Sequence, residues 1–388
     1  MSVHWLNEER LRVYPRIMLT LFVTITIIWL CLYRDMVDPR GMPVGADFIT
    51  FWGASRLALE GNAPSAYDLQ ALMQAEQAAV PALRHVFGWY YPPTFFLVIL
   101  PLGLMPYLLA YIAFSASTLA AYAALLRRIL ADKRALVCLL AFPGLWVNLW
   151  HGQNAFLTAS LAAGALLLRP TMPALSGVLI GLLAIKPHLA ILFLPALAAA
   201  REWRIIAVAA VTACAMAAAG TLMLGDGMLP AFGDGMRIAR QAFESGALPW
   251  VKMPTMFAQL RLLGVPVDAA YALHSIVAGL VVAAIWLVWR SVARDALKNA
   301  ALMCGTLLVT PYLFDYDLAW LAFPLAWMAL EGLHGGWRAG ERNTLVLAWL
   351  LPVLMSSLAN LTGLIQLGPW VTGLLLCVIT RRALGTSA

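Results

Sequence analysis

Residues 174–200 read ALSGVLIGLLAIKPHLAILFLPALAAA, an apolar run interrupted only at Lys186-Pro187-His188. A stretch this apolar belongs in lipid or inside a membrane protein. An ammonium and an imidazole in its middle are expensive there unless they sit at a membrane face or in a polar cavity. Pro187 has no N–H to donate, so it frees carbonyls in the preceding turn. The run therefore reads as two short spans, 174–186 and 188–200, with the polar tripeptide at the turn between them.

The rest of the chain repeats this composition. Of 388 residues, 62% are hydrophobic and 12% charged, at a mean hydropathy of +0.82. That is more apolar surface than a soluble fold can cover, so the expected class is an all-α polytopic membrane protein. The formal charge of +7 comes from basic residues clustered at the ends of apolar runs, as topology signals do, which argues against a nucleic-acid partner. Cys31, Cys138, Cys214, Cys304 and Cys377 all lie inside apolar runs and read as packing residues. Arg10, Arg12 and Arg16 precede a first span, Ile17 to Tyr33, with no small-residue cleavage site after Tyr33, so the segment is kept as a span with its N-terminus in the cytoplasm.

Residues 34–91 then form a first external loop. It ends in Gly88-Trp89-Tyr90-Tyr91-Pro92-Pro93, where the aromatics suit an interfacial belt and the prolines start a helix. Residues 94–126 hold two apolar pieces split at Pro101 and Pro106; they count as one net crossing with one re-entrant piece, because Arg127, Arg128, Lys133 and Arg134 call for a cytoplasmic end. Further spans are expected at 135–150, 153–168, 174–186, 188–200 and 205–224, then, beyond a second external loop at 225–267, at 269–289, 299–313, 318–333, 343–359 and 364–380. The expectation is a single integral membrane domain, 1–388, of about twelve transmembrane helices with two larger external loops and both termini cytoplasmic.

In this topology Asp47, Arg56, Asp68, His151, Gln153, Asn154, Lys186, His188, Asp315 and Asp317 all fall at external span ends. Asp47, in Gly45-Ala46-Asp47-Phe48-Ile49-Thr50-Phe51-Trp52, is either an N-cap or a base emerging where an amphipathic helix meets the membrane surface. Lys186 and His188 can grip a phosphate or merely mark a snorkelling hairpin, and Asp315 and Asp317 can bind sugar hydroxyls or cap the next helix. His151, Gln153 and Asn154 offer hydrogen bonds beside Trp146 and Trp150, a combination that suits sugar faces. Asp68 reads as a turn or cap. No phosphate loop, zinc helix or serine elbow is present; the two Gly-Asp-Gly turns read as loops, no metal site is assigned, and metal dependence is left open.

The order Ala46-Asp47-Phe48, Trp52, Leu59-Glu60-Gly61, Ala66-Tyr67-Asp68, Tyr91-Pro92-Pro93, Gly152-Gln153-Asn154 and Gly181-Leu182-Leu183-Ala184-Ile185-Lys186-Pro187-His188 resembles glycosyltransferase family 87, over most of residues 45–205. The resemblance implies a class C glycosyltransferase fold, a polyprenyl-phosphate sugar as donor and no further cofactor. It also implies inverting transfer to a lipid or glycan acceptor at the outer face of a bacterial cytoplasmic membrane. Mannose is the first expectation for the sugar and arabinofuranose the second. The aspartate of the first external loop acts as general base in this family, a role that maps onto Asp47. A polyprenyl phosphate then needs cations to take its charge, for which Lys186, Arg56 and His188 are the candidates. Tyr91, His151, Gln153, Asn154, Asp315 and Asp317 are the candidates for sugar or acceptor. The alternative is a transporter or flippase of lipid-linked sugars, which would need polar groups at mid-membrane or on both faces rather than on one.

Overall fold

The computed structural model describes residues 5–385. The extreme termini, on which the placement of both chain ends rests, and the Lys133 and Arg134 side chains lie outside the described residues. The helices in chain order are α1 (Glu8–Leu32), α2 (Phe48–Leu59), α3 (Leu69–Ala79), α4 (Pro93–Ile99), α5 (Tyr107–Ile129) and α6 (Lys133–Leu140). They continue with α7 (Pro143–His151), α8 (Ala155–Leu168), α9 (Pro173–Leu182), α10 (Phe193–Ala199), α11 (Trp203–Leu224) and α12 (Met228–Ser245). The last six are α13 (Met256–Leu262), α14 (Val267–Arg290), α15 (Asp295–Val309), α16 (Ala322–Gly335), α17 (Glu341–Thr362) and α18 (Gly368–Leu384). No β-strand occurs among the described residues. Five helices, α1, α5, α11, α14 and α17, are long and apolar enough to cross a membrane.

Several expected spans are shorter or broken. The stretch 135–150 divides at Phe142-Pro143 into α6 and α7, because proline at the first helical position starts a new helix rather than continuing the old one. Within 94–126, α4 and the one-turn helix Leu100–Leu104 form a short piece and α5 a full-length one.

The opening run folds around two close approaches. An ideal Cβ on Gly177 would stand 2.8 Å from Ile205 O, and one on Gly181 would stand 2.7 Å from Ala209 O. Glycine four residues apart thus lets the backbones of α9 and α11 touch, the small-residue packing that membrane helices favour. Both contacts advance in the same sense along the two helices, so α9 and α11 run parallel. The chain between them must go out and return, and α10 is the return arm. Reversal occurs at Lys186-Pro187, as the sequence predicts, and again at Arg201, whose φ is 59°. The carbonyl freed at Ala184 accepts a hydrogen bond from Thr94 Oγ1 at 2.7 Å. The arms splay, and with α11 they line an open apolar groove of about 250 Å³ bordered by Gly181, Ala184, Pro187, Phe193, Leu197 and Ala210.

Charged residues gather at opposite ends of α15. At its start, Arg169 pairs with Asp295 and lies 3.7 Å from Glu202, and Arg294 lies 3.4 Å from Glu331. Arg382 bonds Glu341 at 2.7 Å and the Glu331 carbonyl at 2.7 Å. Past its other end, the short helix Asp315–Leu321 leads into α16 and is fixed by Tyr122 OH donating to Ala319 O and Trp320 Nε1 donating to Thr158 Oγ1.

Two sequence expectations are corrected here. Helix α2 is not amphipathic: Phe48 through Ser55 are all buried, with Phe51 ringed by Tyr91, Phe95 and Phe114. Trp89 and Tyr91 are likewise buried rather than interfacial. Protein rather than lipid covers this stretch of α2.

Candidate active site

Asp47 enters through a strained turn. Gly45 has φ 79° and Ala46 φ 38°, a region that costs a non-glycine residue of order 1 kcal/mol or more. The turn is held by Ala46 N–H donating to Pro43 O and Phe48 N–H donating to Gly45 O, each at 2.8 Å. Gly152, with φ 60°, ends α7 against this same turn; a Cβ there would lie 2.6 Å from Gly45 O and 2.6 Å from Phe48 Cβ. Only glycine permits that approach, and it delivers the next residue, Gln153, to the carboxylate.

Gln153 Nε2 donates to Asp47 Oδ2 at 3.0 Å, and Tyr91 OH donates to Gln153 Oε1 at 2.9 Å. Tyr91 is positioned in turn by Tyr67 OH, which donates to the Tyr91 carbonyl at 2.6 Å. Burial holds the Tyr91 phenol well above its usual range, so it remains a neutral donor. Asp47 stands at the N-terminus of α2, yet its side chain makes no capping bond. One carboxylate oxygen is thus oriented by Gln153, and among the described residues the other oxygen of this half-buried group is free. That is the arrangement of a base held by a third group. Asn154, beside Gln153, is fully buried, and among the described residues neither of its side-chain polar atoms has a partner.

Lys186, at the hairpin tip, turns inward. Its Nζ donates to Asp317 Oδ1 at 2.5 Å with both residues buried, and it sits 5.0 Å above the Tyr316 ring. Asp317 Oδ2 accepts from Phe314 N–H at 3.3 Å, and Asp315 Oδ1 accepts from Tyr316 N–H at 2.9 Å. The His188 ring meets Tyr312 edge-on at 6.0 Å, with Nε2 buried and unpartnered. His151 Nδ1 donates to Val147 O at 2.8 Å, and its Nε2 faces Lys252 Nζ at 3.4 Å. The His151 ring is 5.9 Å from that of Tyr316, which joins this group to the Lys186 pair.

The structure therefore brings Asp47, Tyr91, Gln153, Asn154, His151, Lys186, Asp315 and Asp317 to one end of the bundle. Arg56 is not brought there: about two and a half turns along α2, it bonds Glu60 at 3.0 Å and the Gly103 carbonyl at 3.3 Å. Asp68 caps α3 through Gln70 N–H and Ala71 N–H. Among the described residues no cluster of three or more His, Cys, Asp or Glu is arranged to hold a metal ion. Sequence reasoning missed Lys252, whose signal was a lone charge between two prolines in Pro249-Trp250-Val251-Lys252-Met253-Pro254. It also missed Glu76, buried on α3 with Oε2 accepting from Phe87 N–H at 3.0 Å and Oε1 unpartnered. Burial pushes the Glu76 carboxyl up to about 8; the Phe87 bond opposes the shift and the Asp47 charge adds to it.

No curated protein and no solved structure matches the chain. The family model described as glycosyltransferase family 87 matches residues 89–311, more than half of the chain. This span reaches further toward the C-terminus than the motifs of residues 45–205. It includes Tyr91, the His151–Asn154 turn, Lys186, His188 and Lys252, and begins after Asp47. With its all-α membrane architecture, the chain belongs to glycosyltransferase family 87, whose members are glycosyltransferases of the polyprenyl-phosphate-sugar-dependent, GT-C type.

Proposed function

We propose that this glycosyltransferase moves a sugar, mannose first and arabinofuranose second, from a polyprenyl phosphate to a lipid or glycan acceptor. Transfer occurs with inversion, at the outer face of a bacterial cytoplasmic membrane. The observation that carries this reading is Asp47, oriented through one oxygen by Gln153 and free at the other. The free oxygen takes the proton of the acceptor hydroxyl as the acceptor oxygen attacks the anomeric carbon opposite the phosphate. The bond from that carbon to the phosphate oxygen breaks with its electron pair, so the lipid phosphate leaves with one more negative charge than it brought. Stabilising that growing charge, together with general-base help, is what the site must supply. Tyr91, His151, Gln153, Asn154 and Asp315 face the sugar and acceptor in this reading, and Lys186, His188 and Asp317 stand at the phosphate side. A neutral imidazole at His188 donates a hydrogen bond there rather than a charge.

The test is transfer of radiolabel from polyprenyl-phosphate mannose and polyprenyl-phosphate arabinose by the purified protein in lipid vesicles. Asp47→Asn keeps the shape but cannot accept a proton, so transfer should fall at least about 100-fold, the low end of what a general base contributes. Near-parental turnover by Asp47→Asn would remove Asp47 from the chemistry.

A further inference from the structure

Lys252 belongs to the second large loop, far in sequence from every residue of the site, yet it is held firmly. It ends the one-turn helix Trp250–Lys252, in which Met253 N–H donates to Trp250 O at 2.9 Å. Gln366 Nε2 donates to the Val251 carbonyl at 3.0 Å, and Trp250 Nε1 donates to Phe243 O at 2.8 Å. The Arg261 guanidinium covers the Trp250 ring at 4.7 Å. A lysine on such a support is aimed rather than free to wander.

It is aimed at His151. Because His151 Nδ1 donates to the Val147 carbonyl, a neutral ring presents its lone pair at Nε2, and the Lys252 ammonium lies 3.4 Å from that atom. His151 is two residues before Gln153, which holds Asp47, so Lys252 borders the compartment of the base. The ammonium is half-buried, and among the described residues it touches no carboxylate; Asp315 lies within electrostatic reach but not in contact. The two other cations considered for the phosphate differ in this respect. Lys186 is cancelled by Asp317 at 2.5 Å, and Arg56 is engaged by Glu60 away from the site.

We infer that Lys252, oriented by His151, is the cation that binds the phosphate of the donor and takes the charge that develops on it as the sugar leaves. This rests on the polyprenyl-phosphate reading above. The leaving phosphate passes from diester to monoester, so its negative charge grows during transfer, and an uncancelled ammonium beside it favours the transition state over the ground state. The Lys186–Asp317 pair then serves as a neutral floor that fixes the hairpin tip.

The test uses the full-length protein in lipid nanodiscs, titrated with undecaprenyl monophosphate and, in parallel, with undecaprenol, which has the same tail and no phosphate. The parent should bind the monophosphate more tightly than the alcohol. Lys252→Gln should bind the monophosphate at least about tenfold more weakly, the loss expected of one charge-assisted hydrogen bond, with its affinity for undecaprenol unchanged. Lys252→Arg, which keeps the charge, should retain most of the parental affinity. Equal monophosphate affinity in the parent and Lys252→Gln would overturn the assignment. So would equal losses in the Gln and Arg variants, which would mean that shape rather than charge was read. A parent that does not distinguish monophosphate from alcohol would instead overturn the donor reading itself, and this inference with it.

Discussion

A helix-capping aspartate turns its carboxylate back onto the N–H groups of the first turn. Asp68 does this on α3, with bonds of 2.9 and 2.8 Å to Gln70 N–H and Ala71 N–H, and Asp47 does not do it on α2. The same residue type at the same helical position is thus structural in one case and available in the other. Lys186 invites the converse caution. Removing one partner of a buried ion pair strands the other charge and costs about 3–5 kcal/mol, whereas an apolar pair of similar volume can replace both. Lys186→Ala should therefore lower the thermal midpoint in detergent, and Lys186→Met combined with Asp317→Leu should restore it. A single variant that melts like the parent would mean that the pair does not secure the hairpin tip. Glu76 makes a prediction in pH. Its carboxyl is raised from 4.5 to about 8 in the fold, chiefly by burial, so between those values the folded chain binds more protons than the unfolded one. Stability should then fall as pH rises from about 4.5 to about 8. Midpoints measured across that window should flatten in Glu76→Gln relative to the parent, and parallel curves would remove Glu76 as the cause.

At the scale of elements, the site depends on two turns touching. Gly152 and Gly45 meet with a gap that a Cβ would close to 2.6 Å, and Gly152 also has φ 60°. Gly152→Ala must push the α7–α8 turn away from α2 and carry Gln153 with it. A misplacement of about 1 Å can cost roughly 100-fold in rate, so transfer should fall toward that size while the bundle still folds. Gly279→Ala on α14, where a new Cβ meets nothing within 4 Å, is the control. Unchanged transfer in Gly152→Ala would separate the turn contact from catalysis. Signals of this range explain what the sequence could reveal. Pro92-Pro93 as a helix start, the reversal at Lys186-Pro187 and the Asp68 cap are written within a few residues, and each was legible. The burial of α2, Trp89 and Tyr91 was not, because periodicity says which residues are apolar and not whether lipid or protein covers them. The contact of Lys252 with His151 joins positions 101 apart in the chain. Nothing local encodes it beyond an isolated charge between prolines.

The molecule has two polar ends, and they face opposite sides of the hydrocarbon core. The site lies beyond the end of α15, and the cluster of Arg169, Glu202, Asp295, Arg294, Glu331, Arg382 and Glu341 lies at its start. Fifteen helical residues span about 22 Å, so the two polar groups are separated by most of a hydrocarbon core. Both large loops attach to the site end: the first through Asp47 and Tyr91, and the second through Lys252 and through α12, where Gly235 packs on Tyr67. Positive-inside bias predicts that the basic residues at the opposite end stay in the cytoplasm. In a chain whose five native cysteines are replaced by alanine, single cysteines at the exposed positions Arg40 and Asp234 should react with a membrane-impermeant thiol reagent in intact cells. Cysteines at the exposed positions Arg201 and His334 should react only after permeabilisation. Labelling of all four in intact cells would reject the separation of the two ends. Labelling in the reverse order would put the site on the cytoplasmic face, where a soluble nucleotide sugar could reach it, and would count against a donor carried by lipid.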